Sequence, residues 1–255
     1  MRPNLTENAK NYHDRMYPDY ESALAETDPE FIERFDNFAF DEVINHEAVK
    51  VDDRTRMISL LAVLMGCQGI DDFKLIVPAA LRLGVTPVEL KEIVYQGVAY
   101  LGMGRVFPFL KAVNEILPRE GIDPALEGQA GTTMEDRLEK GEAVQMAIFG
   151  DHMAGFAESG PEESRHINHW LVDNCFGDIY TRRGLGIADR EMVTFCFLYA
   201  QGGCEPQLKS HIAANYHVGN SKDYLIRIIS NNVPFIGYPR TLNALRCINE
   251  VAEEG

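Results

Sequence analysis

Positive charge is scarce in this sequence. Lys and Arg number 24 against 39 Asp and Glu, a net charge of −15 with His neutral. That balance argues against nucleic acid and anionic membrane as partners, since both demand clustered cations. An anionic substrate would have to be drawn in by a local positive site. Apolar runs long enough to span a bilayer are missing, and the opening residues, MRPNLTENAK, lack the apolar core of a signal peptide. The cysteines Cys67, Cys175, Cys196, Cys204 and Cys247 are scattered and odd in number. This suits reduced thiols better than a disulfide framework. No Cys/His cluster has zinc spacing, so no metal is expected. These absences lead to the expectation of a cytoplasmic protein with a small-molecule partner. Strand-type alternation of apolar and polar residues is missing as well. What is present, 45% hydrophobic and 25% charged residues over 255 positions, is ordinary for a globular chain of one large domain or two smaller ones.

The chain repeats itself. Arg54–Leu117 aligns with Asp189–Ala252 at a constant offset of 135 residues, without a gap. Identities include Ala79/Ala214, Gly84/Gly219, Leu90/Leu225, Ile93/Ile228, Gly102/Gly237, Arg105/Arg240 and Asn114/Asn249. Upstream, DNFAFD at 36–41 answers DNCFGD at 173–178 after a two-residue slip. The period is too long for a solenoid. Two tandem copies, 1–120 and 121–255, are expected, joined near the Gly- and Pro-rich REGIDPALEGQAGTT.

Each copy reads as helical, with five to six helices. In GVTPVELKEIVYQGVAYLG, Thr86 is a good N-cap, Pro87 suits the first helical position and Glu89 completes a capping box; Gly102 closes the helix. Thr132 and Glu135 suggest a second box before RLEKGEAVQMAIFG. MISLLAVLMG (57–66) and EMVTFCFLYA (191–200) are apolar nearly all round, the signature of buried helices. Trp170 and the tyrosines read as core or interface anchors, and a homo-oligomer is expected, a trimer of tandem chains or a similar ring. Asn174 and Asp178 recur as Asn37 and Asp41, which favours a structural role for both pairs.

GGCEPQLKSHI, residues 202–212, carries the candidate chemistry. Two glycines break one helix, and Pro206 fits the first turn of the next. Cys204 therefore sits at a helix N-terminus, where backbone N–H groups lower a thiol's pKa and favour anions. His211 lies four residues past Gln207, within contact range on one face. Cys204 and His211 are separated by roughly 10 Å along a regular helix, too far for a direct pair. The preceding helix offers Arg190 and Glu191 to His211.

The repeated block, with LRLGVTPVELKEIVYQGVAYLGMGRVFPFLKAVNEIL, resembles the carboxymuconolactone decarboxylase family, and the whole chain resembles a tandem two-copy member. The resemblance implies an all-α fold of two alkyl hydroperoxidase D-like domains related by a pseudo-two-fold axis. It also implies a site of glutamate, Cys-x-x-Cys and histidine. Glu191, Cys204 and His211 match that site, and Gln207 stands where the second cysteine would be. At the matching positions the first copy has Arg56, Gly69, Asp72 and Ile76. One active centre is thus expected, in the second copy, with the first as scaffold.

Two-cysteine peroxidase chemistry needs a resolving thiol that Gln207 cannot supply. The family's decarboxylase chemistry requires no metal or organic cofactor. It asks for a proton donor, a stabiliser of developing negative charge and an apolar pocket. The resemblance implies His211 as proton donor oriented by Glu191, the Cys204–Pro206 helix start as anion holder, and Arg190, Arg240 or Arg105 as a carboxylate clamp, with Gln207 beside the substrate. A peroxidase using Cys204 alone and a ligand-binding protein without turnover stand as alternatives.

Overall fold

The computed structural model describes residues 3–18, 22 and 24–254. Its first copy runs through α1 (Glu7–Met16), α2 (Leu24–Thr27), α3 (Pro29–Asn37), a wide π-type turn (Phe38–Val43), α4 (Asp53–Gly66), α5 (Ile70–Arg82), α6 (Pro87–Leu101) and α7 (Met103–Ile116). The second runs through α8 (Arg137–Phe149), α9 (Arg165–Trp170), another π-type turn (Leu171–Tyr180), α10 (Ile187–Gln201), α11 (Glu205–His217), α12 (Lys222–Asn231), α13 (Val233–Ile236) and α14 (Tyr238–Glu254). No strand forms among the described residues. The 135-residue offset carries α4, α5 and α7 onto α10, α11 and α14. It carries α6 onto α12 and α13, which are separate pieces because Pro234 lacks the N–H that a continuous helix would use there. Such short pieces take the helix count above five to six per copy.

The copies share one core. Every residue of α4 from Thr55 to Gly66 is buried, as is every residue of α10 from Arg190 to Ala200. These equivalent helices pack directly on one another, as a two-fold relation between copies requires. A Cβ added to Gly66 would lie 2.7 Å from the Ala200 Cβ, so glycine sets the spacing of the pair. Arg54 ties the copies at the rim, bonding Glu89 (3.0 Å from Nε) and Asp189 (2.7 Å).

The Thr86 box forms as expected: Thr86 Oγ1 accepts from the Glu89 N–H at 3.2 Å, and Glu89 accepts from the Thr86 N–H at 2.7 Å. Thr86→Ala is therefore expected to lower unfolding free energy by about 1 kcal/mol, measured by urea denaturation. The box expected at Thr132 does not form. Thr132 instead donates to the Gly177 carbonyl at 3.3 Å, and the Thr133 N–H turns to Asp136 at 2.7 Å. That local turn competes with helix, so α8 starts only at Arg137. Trp170 is likewise no core anchor: it is 58% exposed, on the short surface helix α9. Asn174 donates to Asp178 at 3.1 Å, and Asp41 accepts from Thr6, Asn8 and Asn45, so the recurring Asn/Asp pairs do hold local structure.

Candidate active site

Glu191, in the first turns of α10, is fully buried, and His211 on α11 nearly so. The His211 Nδ1 lies 2.8 Å from the Glu191 Oε2. The second carboxylate oxygen, Oε1, is buried without a hydrogen-bond partner. Asn215, one turn beyond His211, donates to the backbone carbonyls of Glu191 (3.0 Å) and His211 (2.7 Å), which locks the two helices in register. With Nδ1 engaged, Nε2 is the ring atom left for a reactant.

Aromatic rings enclose the imidazole. Phe149, the last residue of α8, stands edge-on at 5.3 Å between centroids, and Tyr100 does the same at 5.5 Å. Tyr100 comes from α6, so the first copy completes a site whose acid–base pair lies in the second. Behind Tyr100 runs a hydrogen-bond chain: its hydroxyl lies 2.8 Å from that of Tyr180, which lies 2.7 Å from the Thr194 hydroxyl. The Gln96 amide N–H, which can only donate, gives to Thr194 at 2.8 Å. That fixed donor polarises the chain toward Tyr100. Burial, reinforced by Cys175 and Glu191, pushes the Tyr100 hydroxyl well above its ordinary value. Tyr180 is raised in the same way by burial and Glu191, so both hydroxyls stay protonated as donors. Cys175 closes the wall with its S–H toward the Tyr100 oxygen at 3.7 Å, its thiol pushed up to about 12 by burial.

A model of the carboxymuconolactone decarboxylase family matches residues 29–115 and, again, residues 166–250. The chain belongs to the carboxymuconolactone decarboxylase family. Its duplication is clear from a relative: the 4-carboxymuconolactone decarboxylase of Acinetobacter baylyi is 26% identical over 121 residues, which are 47% of this chain but 90% of that protein. A crystal structure described as a gamma-carboxymuconolactone decarboxylase subunit, from Burkholderia xenovorans, has a similar fold, with a TM-score of 0.57 at 20% identity and 97% of both chains covered. This member of the carboxymuconolactone decarboxylase family therefore carries two family domains in one chain. Among its described residues no helix is long and apolar enough to cross a membrane.

The other residues that a decarboxylase-family site would use by sequence make no side-chain bond to the Glu191 carboxylate or the His211 ring among the described residues. Cys204 does begin α11, yet it is half-buried, and its S–H points back to the Leu198 carbonyl at 3.4 Å. Burial pushes its thiol up, and the neighbouring Glu205 adds to the rise, so the lowering expected from a helix N-terminus is overridden. No bond joins Cys204 to Glu191 or His211 among the described residues. Gln207 is exposed and among the described residues makes no hydrogen bond to His211, whose ring stands between Tyr100 and Phe149.

Arg190 is fully buried, and both of its terminal nitrogens are engaged by its neighbours, Glu92 Oε2 at 2.9 Å, Gln96 Oε1 at 3.0 Å and the Arg182 carbonyl at 2.9 Å, while its Nε is buried without a partner. It clamps the two copies together and is not free to clamp a substrate. Arg240 donates to the Ala200 carbonyl, capping the C-terminus of α10, and Arg105 reaches Gln201 Oε1 at 3.3 Å. In the first copy, Ile76 is buried in place of His211, and Arg56 is held by Asp53 (2.7 Å), Asn231 (3.0 Å) and Tyr12 (3.1 Å). Tyr100, Phe149, Tyr180, Thr194 and Gln96 are not evident as site residues from the sequence. Thr194 and Gln96 had a signal: each is a lone polar residue inside an apolar stretch, which demands a buried partner.

Proposed function

We propose that this chain is a cofactor-free decarboxylase-type lyase acting on a small unsaturated carboxylic acid or lactone, with His211 as proton donor and Glu191 as its orienting partner. The observation that carries this reading is the buried 2.8 Å pair of Glu191 and His211 with the Tyr100 ring edge-on to the imidazole. The name of the Acinetobacter relative adds the substrate class, a γ-lactone bearing a carboxylate.

In such a reaction the bond between the ring carbon and the carboxylate breaks, and carbon dioxide leaves. The bonding pair passes into the conjugated lactone carbonyl, giving a dienolate. A hydroxyl donor such as Tyr100, kept neutral by burial, stabilises the developing oxyanion. His211, held as an imidazolium by Glu191, then delivers its Nε2 proton to carbon, and solvent reprotonates the neutral ring that remains. The apolar wall of Phe149, Phe176 and Ile148 suits a departing carboxylate, which loses its charge as it leaves. One such centre serves each chain, with the first copy as scaffold and pocket wall.

The test is to incubate the whole chain with 4-carboxymuconolactone and follow carbon dioxide release, with a hydroperoxide and a dithiol reductant in a parallel assay. Decarboxylation is expected, with little peroxide turnover, and Cys204→Ser should retain decarboxylation within about twofold, since surface-side changes away from the chemistry are usually mild. Peroxide turnover that is strong in the wild type and lost in Cys204→Ser would overturn the reading.

A further inference from the structure

The two copies treat one equivalent carboxylate differently. Asp36 opens DNFAFD and Asp173 opens DNCFGD, and they are 8% and 5% exposed. Asp173 is neutralised: Arg137 of α8 donates to its Oδ2 at 2.8 Å. Asp36 has no such partner, and among the described residues no donor or cation pairs with its side chain. Burial alone pushes its carboxyl up to about 6. An ionised carboxylate held this way is costly unless a cation meets it.

Beside Asp36 lies a cavity of about 280 Å³, near the lower end of small-molecule sites. It occupies the place in the first copy that the Glu191–His211 site occupies in the second: Ile76 forms part of its wall where His211 would be, and Phe235 stands where Tyr100 would be. The cavity exists because Phe40 replaces Gly177. In the second copy a Cβ on Gly177 would collide with the Arg137 carbonyl, so glycine lets α8 lie directly on the turn. In the first copy the Phe40 ring stands between α1 and the turn, stacked on Tyr12 at 5.9 Å. Phe35 is edge-on to Phe235 at 5.7 Å and to Phe40 at 6.4 Å, which gives the cavity aromatic walls. Asp72 adds a second carboxylate at its exposed edge, and among the described residues neither Lys nor Arg lines it, His13 being the basic side chain in its wall.

We propose that this cavity binds a small organic cation, an ammonium or guanidinium on an aromatic or hydrocarbon body, whose charge pairs with Asp36 while its body lies against Phe35, Phe40 and Phe235. The bound cation does for Asp36 what Arg137 does for Asp173. Aromatic faces attract cations as well as apolar bodies. An anion would meet two carboxylates, and a neutral ligand would leave Asp36 unpaired.

Calorimetric titration of the whole chain at neutral pH with benzylammonium, benzyl alcohol and benzoate tests this. Benzylammonium is expected to bind at one site, with the other two probes at least about tenfold weaker, the scale of one charge-assisted contact. Asp36→Asn should fold, because it removes an unpaired buried charge, and should lose at least about tenfold for benzylammonium with benzyl alcohol unchanged. Phe235→Leu, which leaves Asp36 in place, should weaken benzylammonium more than benzyl alcohol. The proposal fails if benzylammonium does not bind, if the three probes bind alike, or if folded Asp36→Asn keeps full affinity for the amine.

Discussion

His211→Gln is expected to cut decarboxylase turnover at least about a hundredfold, the usual scale for one general acid, with a nearly unchanged melting temperature. Glutamine keeps the size of the side chain and can still bond Glu191, so the 2.8 Å contact that links α11 to α10 survives in kind. Asn215 continues to fasten the same two helices through their backbone carbonyls. What glutamine lacks is a proton that it can give to carbon. The paired measurement of rate and melting temperature separates a chemical role from a structural one. A variant that unfolds, but whose folded fraction works at the normal rate, would make His211 structural. Ile76→Val, at the matching place in the first copy, should leave turnover essentially unaltered.

The largest loss of stability is expected at the crossing of α8 with the Leu171–Tyr180 turn. Gly141 and Gly177 face each other's backbone there, and a Cβ at either one collides with a carbonyl oxygen, that of Val172 or of Arg137. Backbone cannot swing aside as a flexible side chain does, so the helix must lift. Gly141→Val is expected to destabilise by about 3 kcal/mol, the upper range for overpacking. That corresponds to a fall in melting temperature of roughly 10 °C for a chain of this size. Because α8 ends at Phe149, which packs edge-on against His211, turnover should fall as well. Scanning calorimetry checks the first effect; a melting temperature within a degree of wild type would show that the crossing is not tight.

Much of the fold was legible because it depends on local signals and a repeat. The Thr86–Glu89 box, the buried helices α4 and α10 and the 135-residue offset are all patterns along the chain, and each appears in the structure. The pairing of Glu191 with His211 was legible too, through the resemblance of the motif. The rest of the site was not, because it depends on contacts made across the two copies. Arg190 looks like a free cation in sequence, yet Glu92 and Gln96 from the first copy consume it. Tyr100 looks like one more helix tyrosine until α6 sets it against His211, 111 positions along the chain. The thiol of Cys204 departs from expectation for a different reason: its place at a helix start is real, but burial and Glu205 outweigh the dipole. Thr132 misled because a short side-chain turn competes locally with helix initiation.

Central to the proposed mechanism is that the imidazole at position 211 delivers the proton, and chemical rescue tests this most directly. His211→Ala opens a space beside Glu191 in which free imidazole can take the place of the lost ring. Carbon dioxide release should be at least about a hundredfold below wild type without imidazole, and should rise along a saturating curve as imidazole is added, while the wild type is not stimulated. A folded His211→Ala chain that decarboxylates at the wild-type rate without imidazole would contradict it.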